Sequence, residues 1–326
     1  MEIKPPAISP VSDPTNRPLW SVMIPTYNCA NFLRETLQSV FAQDPGPQTM
    51  QIEVVDDCST KDDPEAVVRE LSPTGRVAFF RQPRNQGAIG NFNTCIQRSK
   101  GTLIHILHGD DIILDGFYDC ITRAHRDHPK LSAYFSRGYI IDDQGSFECL
   151  TPRSKELESP CNSSKPLWHN NCIATPAAVI TREFYETMGG FLPQLCHVAD
   201  WEMWCRALDN GGGLLINRPL AAYRHFATND TSRLAASGDN LKDYVKLAGI
   251  LTQRHNNFDP TAILSDVGRR GWIQSNHFRT ARNMNAAREN YKIWLKYSSA
   301  TEILSLFLSQ PRPFLGHSLR VLKLRQ

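Results

Sequence analysis

Residues 102–111 read TLIHILHGDD, an apolar, β-type run that ends in two adjacent acids. Acids are poor strand formers, so Asp110 and Asp111 belong just past the carboxyl end of a strand. His108 stands two residues before Asp110, on the same side of an extended chain. Two carboxylates and a histidine there suit a hard divalent cation, Mg2+ or Mn2+. A strand-end turn with solvated acids accounts for the same residues, so the segment alone decides nothing.

Working outward, the chain alternates short β-type runs with longer helical ones. WSVMIP (20–25), QIEVVDD (51–57), RVAFFRQ (76–82) and TLIHIL read as strands. Between them lie helical patterns at 29–43, with Phe32, Leu33, Leu37, Val40 and Phe41 on one face, at 64–71, and at 89–101 with Gly101 as the stop. Another helix (113–129) and strand (132–141) follow. The alternation predicts an α/β fold, a mostly parallel central sheet flanked by helices. Ligands of such sheets bind outside the carboxyl ends of the strands. The polar segments PTYN (25–28), DDCST (56–60) and HGDD (108–111) all fall on that edge.

After about residue 150 the rhythm changes. A Ser- and Pro-rich loop precedes a short strand, a helix from about Thr181 and a Gly-Gly stop. A helix then begins near Asp200, and AAYRHF (221–226) reads as a late strand. The expected organisation is a flexible Pro-rich leader (1–18), a main domain (19–228) in two halves (19–115 and 116–228), and a helical C-terminal extension (229–326).

Composition narrows the classes. The net charge of +3 argues against a dedicated nucleic-acid binder. Nine cysteines without a Cys-x-x-Cys pair disfavour a zinc ribbon or redox dithiol and suit reduced thiols in a cytosol. No apolar run is long enough to span a membrane. Neither Gly-x-Gly-x-x-Gly nor a P-loop occurs.

A sugar joined to a nucleoside diphosphate would use the strand-end groups as follows. Cleavage of its anomeric bond leaves a diphosphate whose charge a carboxylate-bound cation can neutralise. Asp56 and Asp57 could accept from a base N–H or a ribose hydroxyl, and Tyr27 offers a face for a base beside Thr26 and Asn28. Capping and turn formation by Asn28, Asp57 and Ser59 explain the same residues. Asp200 could deprotonate an attacking hydroxyl or merely cap its helix. Trp201, Glu202 and Trp204 could line an acceptor pocket or belong to the core.

Together VMIPTYNCANFLRETLQSVFAQ, EVVDDCST, NQGAIGNFNTCIQRSKGTLIHILHGDD, GGF and ADWEMWCRAL resemble, in order and spacing, the family 2 glycosyltransferases across roughly residues 20–228. These are inverting enzymes with the type A nucleotide-sugar-binding fold. The resemblance implies that Pro25, Thr26, Tyr27 and Asn28 hold the nucleotide base and that Asp56 and Asp57 contact base and ribose. It further implies that Asn85, Gly87 and Asn93 lie beside the nucleotide, and that HGDD is the metal motif. His108 stands where most members have the motif's first Asp, and is assigned to nucleotide-sugar binding. Asp110 and Asp111 are the implied ligands of Mn2+ or Mg2+, with His225 approaching the metal or diphosphate. Asp200 matches the catalytic base, and Trp201 and Glu202 the acceptor side.

The implied donor is a nucleoside-diphosphate sugar, UDP first among the nucleotides, and the acceptor a saccharide or lipid-linked saccharide in bacterial surface polysaccharide synthesis. Two rivals remain: a non-catalytic nucleotide-sugar-binding protein and a nucleotidyltransferase. The last 24 residues carry four bases and no acid, with Leu315, Leu319 and Leu322 at helical spacing beside Arg320, Lys323 and Arg325. Such a tail could lie on the inner face of the cytoplasmic membrane or pack as a terminal helix.

Overall fold

The computed structural model describes residues 4–13, 16–226, 229–301 and 303. The chain divides into two compact units, 1–229 and 230–326.

The first unit begins β1 (Trp20–Thr26), α1 (Ala30–Phe41), β2 (Met50–Asp56), α2 (Pro64–Leu71), β3 (Ala78–Arg81), α3 (Gly87–Arg98) and β4 (Leu103–Ile106). These strands pair in parallel in the order β3-β2-β1-β4. The order reverses beside β1, so a crevice opens between the carboxyl ends of β1 and β4. PTYN and HGDD leave the sheet there. Beyond β4 come β5 (Ile112–Ile113), α4 (Phe117–Asp127), β6 (Ala133–Ile141), β7 (Phe147–Leu150), β8 (Ala178–Thr181), α5 (Arg182–Met188), α6 (Ala199–Gly211) and β9 (Gly213–Arg224). They extend the sheet as β8-β6-β9-β5 with mixed directions, and β7 pairs with β6.

Local chemistry explains the boundaries. Asp63 caps α2 by accepting from Ala66 N at 3.2 Å, and Pro64 fills the first helical position, where its missing N–H costs nothing. Leu33, Leu37 and Val40 of α1 are fully buried on Val22, Ile24, Ile52 and Val54 of the sheet. Each such side chain contributes about 1.5–3 kcal/mol on burial.

Some expectations change. Helix α3 ends at Arg98, not at Gly101. Gly101 serves a close approach instead, since a Cβ there would lie 2.4 Å from the carbonyl carbon of Trp20. The late strand begins at Gly213, eight residues earlier than its apolar end suggests. Register shifts around Arg137 pass over Asn217 and Arg218 and set Pro219, which has no N–H to donate, opposite Arg137.

The described leader residues are held rather than loose. Gly190 N donates to Pro6 O at 2.9 Å, Gln97 Nε2 to Ala7 O at 3.0 Å and Arg182 to Ser9 O at 2.8 Å, with Ile8 buried among them. Proline content gave no sign of these bonds because their donors lie far along the chain.

The second unit contains α7 (Asp230–Ser237), α8 (Asp239–Arg254), α9 (Thr261–Thr280) and α10 (Met284–Tyr297). Helices α9 and α10 pack closely through Gly268 and Gly271; a Cβ on Gly271 would lie 2.9 Å from Trp294 N. The basic tail, with Leu315, Leu319 and Leu322, lies outside the described residues.

Candidate active site

Three loops meet at the crevice. After β1, Asn28 adopts a left-handed φ of 52°, and its Oδ1 accepts from Thr60 N and Lys61 N at 2.9 and 3.0 Å. Its own N–H donates to Ser59 Oγ at 2.8 Å. Asn28 therefore ties the β1 loop to the β2 loop, while the start of α1 is capped by Asp62, whose Oδ2 accepts from Ala30 N at 2.8 Å. Tyr27 is 47% exposed, which leaves its ring open for stacking. Thr26 is buried and shares a 2.8 Å hydrogen bond with Cys29. Burial, then the charge of Asp110, pushes the Cys29 thiol up to about 12, so it is not a thiolate.

The two acids at the end of β2 are held by nearby donors. Asp56 is fully buried and accepts from Ser59 N, from Ser59 Oγ at 2.5 Å and from Arg81 Nε at 2.7 Å. Asp57 Oδ1 accepts from Gln86 N at 2.7 Å, and Asn85 Nδ2 donates to the Asp57 carbonyl at 3.2 Å. Asn85 Oδ1 accepts from Gly87 N at 3.1 Å, with Gly87 at φ +75°. Asn93 lies one step away from this group: its amide brackets the backbone of Phe191, donating to its carbonyl at 3.0 Å and accepting from its N–H at 2.8 Å.

The acidic loop lies against the first. A Cβ on Gly109 would be 3.0 Å from Thr26 Oγ1 and 3.1 Å from Cys29 Sγ, so HGDD sits close against PTYN and a side chain there would press on both. His108, Asp110 and Asp111 each offer a ligand atom, all within 4.8 Å of one another. The His108 ring stacks on Phe92 at 4.9 Å, and its Nδ1 is 3.3 Å from Asp111 Oδ2. Its buried Nε2 and Asp111 Oδ2 have no hydrogen-bond partner among the described residues. Burial pulls the imidazole pKa down, but the close Asp111 carboxylate, with the charges of Asp110 and Asp200, raises it overall. Burial and the neighbouring Asp111 charge push Asp110 up to about 7. Orphaned buried polar atoms and two close carboxylates fit a divalent cation.

Arg224, whose role the sequence did not disclose, holds this loop. Its backbone N–H donates to Asp111 Oδ1 at 2.8 Å and its Nε to the Asp110 carbonyl at 2.9 Å. The guanidinium also reaches Glu35 and the Asp142 carbonyl and lies over Phe32. His225 does not join the cluster. It faces Glu148 at 4.0 Å with its side chain half exposed, because successive strand side chains point to opposite faces and Arg224 takes the inward one. Its expected metal role is corrected accordingly.

Asp200, in the first turn of α6, is half-buried. Oδ1 accepts from Trp201 N at 2.6 Å; Oδ2 accepts from Thr175 Oγ1 at 3.3 Å and from Asn171 Nδ2 at 3.4 Å. Burial raises its pKa to about 6, against the pull of those hydrogen bonds and of His108. A carboxylate of that strength is ionised at neutral pH yet more basic than a solvated Asp. Trp201 and Glu202 turn away from it. Trp201 is buried with Nε1 on the Leu167 carbonyl at 2.6 Å. Glu202 is fully buried and ion-paired with Arg206, 3.0 Å away, which also binds the carbonyls of Met188, Gly189 and Gly190. Neither presents an acceptor surface. The i, i+4 spacing of Glu202 and Arg206 was the available signal for a structural pair.

Known proteins share this architecture. Residues 1–349 of TarS from S. aureus, solved in complex with UDP-GlcNAc, superpose with a TM-score of 0.59 at 14% identity, covering 86% of this chain and 93% of that fragment. The mannosyltransferase PcManGT from Pyrobaculum calidifontis, in complex with GDP-Man and Mn2+, gives 0.55 at 18% identity over 95% of this chain and 85% of its own. These likenesses identify the type A glycosyltransferase fold. An uncharacterized protein from Mycobacterium tuberculosis is 29% identical over 73% of this chain and 76% of its own length. An uncharacterized glycosyltransferase from Haemophilus influenzae is 24% identical over 74% and 81%. The family model for glycosyl transferase family 2 matches residues 21–187. With the strand-end acids and the crevice beside β1, that match makes the chain a member of glycosyl transferase family 2, a glycosyltransferase.

Proposed function

We propose that the protein transfers a sugar from a nucleoside-diphosphate sugar to an acceptor hydroxyl with inversion at the anomeric carbon. The observation that carries this reading is the pairing of the His108–Asp110–Asp111 group with Asp200, whose carboxyl is pushed up to about 6 close enough for His108's charge to act on it. Asp200 takes the proton of the acceptor hydroxyl. The freed oxygen attacks the anomeric carbon opposite the diphosphate, and the C–O bond electrons leave with the diphosphate. Asp110 and Asp111, with His108 beside them, would hold Mn2+ or Mg2+, which supplies Lewis-acid neutralisation of the diphosphate charge. Tyr27 stacks on the base, while Pro25, Thr26, Asn28 and the Asp56–Arg81 pair shape its edge.

UDP is the first nucleotide to test, because TarS, the likeness with the higher TM-score of the two, was solved with a UDP-sugar. The acceptor is a saccharide or lipid-linked saccharide of a bacterial surface polymer, reached from the cytoplasm. No helix among the described residues is long and apolar enough to cross a membrane, and peripheral contact through the basic tail would bring the site to a lipid-linked acceptor. Calorimetric titration with UDP, GDP and dTDP, each with Mn2+ and with EDTA, tests the donor half. Binding of one nucleotide that needs the metal supports the reading; no binding under any condition overturns it. Proton NMR of the product then reads the anomeric configuration, and retention would sink the single displacement.

A further inference from the structure

We propose that His105 is a positioning residue for Asp200, acting through the turn Thr175–Ala177. The inference rests on the reading of Asp200 as general base. His105 lies on β4 and is fully buried, where an aliphatic side chain would fill the space without the cost of burying a polar ring. Its Nε2 is 2.9 Å from the Pro176 carbonyl. A carbonyl only accepts, so Nε2 carries the hydrogen and Nδ1 is the bare nitrogen. The Tyr118 hydroxyl, 3.3 Å from Nδ1, then donates to it. The ring is stacked on Phe117 at 4.7 Å. Burial, as the largest cause, lowers its pKa to about 4, so the ring is neutral in one tautomer near neutral pH.

The carbonyl that His105 grips belongs to Pro176, whose φ is fixed by its ring. The turn is closed by Ala177 N donating to Ala174 O at 2.9 Å. Its first residue, Thr175, is buried and donates its hydroxyl to Asp200 Oδ2. Two hydrogen bonds and one peptide unit therefore connect the core of the sheet to the carboxylate. Oδ1 is held by the Trp201 N–H of its own helix, whereas Oδ2 is oriented from outside that helix, by Thr175 and, at 3.4 Å, by Asn171.

The test is carboxyl 13C NMR titration of Asp200 in the full chain labelled at aspartate, with Asp200→Asn identifying the signal. Thr175→Val removes the hydroxyl, and the midpoint is expected to rise by about 0.5–1 pH unit, the worth of one hydrogen bond to the carboxylate. His105→Leu is expected to raise it by a similar amount, and the double variant no further, because both act through one turn. His105→Gln, whose amide N–H can still reach the Pro176 carbonyl, is expected to restore the wild-type midpoint. An unmoved midpoint in His105→Leu, shifts that add in the double variant, or Gln behaving as Leu each overturn the proposal. If His105→Leu does not fold, His105→Phe, which keeps an aromatic ring on Phe117 but removes the Nε2–H that grips the Pro176 carbonyl, takes its place with an expected shift of the same sign; an unmoved midpoint is again fatal. Turnover by Asp200→Asn is measured separately. Full turnover there ends the reading of Asp200 as base, whereas the titration alone reports on its positioning.

Discussion

The backbone N–H of Arg224 meets Asp111 Oδ1 at 2.8 Å while its side-chain Nε holds the Asp110 carbonyl at 2.9 Å. One residue of β9 thus fixes both acids of a loop 113 positions earlier in the chain. Residues that orient ligands typically change metal affinity roughly 10–100-fold when removed. Arg224→Ala is expected to weaken Mn2+ binding by about that factor, measured by calorimetry on folded protein. The backbone N–H to Asp111 survives this change, so unchanged affinity would mean that the loop holds its shape without the guanidinium.

As the proposed general base, Asp200 would make turnover dependent on pH. Its carboxyl must be ionised to take a proton, and it protonates as pH falls through about 6. The turnover number should therefore fall towards tenfold per pH unit below 6 and flatten above it. Asp200→Asn should lose roughly 10²–10⁴ in rate while nucleotide binding persists. A flat profile between pH 5 and 7 would assign the proton transfer elsewhere.

Proton and cation compete for Asp110. With its pKa pushed up to about 7 by burial and by Asp111, the metal-free carboxyl is largely protonated at pH 6. Mn2+ affinity should weaken as pH falls below 7, and Asp110→Ala should abolish the metal dependence of nucleotide binding. Isothermal titration at pH 6 and 8 separates this from a site whose affinity ignores pH.

Arg206 and Glu202 form a buried pair that supports the Gly189–Gly190 turn. Arg206→Met would strand a fully buried carboxylate, at a cost of about 3–5 kcal/mol, seen as a lower melting temperature. Acceptor KM, measured on whatever protein stays folded, should not move. A change in KM at unchanged stability would return Glu202 to the acceptor site.

His105 sets an acid limit on folding. Its folded pKa of about 4 lies below the ordinary 6.5, so the unfolded chain takes up the proton first. The stability held above pH 6.5 is lost as pH falls from 6.5 through 4, by up to about 3 kcal/mol. Asp110 and Asp200, raised in the folded state, work in the opposite direction over the same range. Melting curves of wild type and His105→Gln, compared at pH 7 and 4.5, isolate the histidine: the wild type should lose more.

The sequence disclosed what local rules govern. Asp110 and Asp111 stood out because they interrupt a β-type run, and Asp200 because it opens a helix. The alternation up to β4 was readable because each apolar run and each helical face repeats with its own period. The second half was less legible: β5 has two residues, and β9 carries a proline and shifted register. Arg224, Thr175 and His105 escaped because their partners are distant in sequence, and only folding brings them together. Glu202 and His225 show the converse error. Each sits near a candidate site residue along the chain, but helix and strand geometry turns its side chain elsewhere.

The leader adds a condition on timing. Ser9 finds its donor in Arg182, 173 residues further on, and Pro6 finds its own in Gly190. At about 5–20 residues per second on a ribosome, residues 6–9 wait roughly 10–35 s before their binding groove has been synthesised. During that interval the nascent parallel strands are present while residues 6–9 have nowhere to dock, so they settle only after Arg182 and Gly190 have been made.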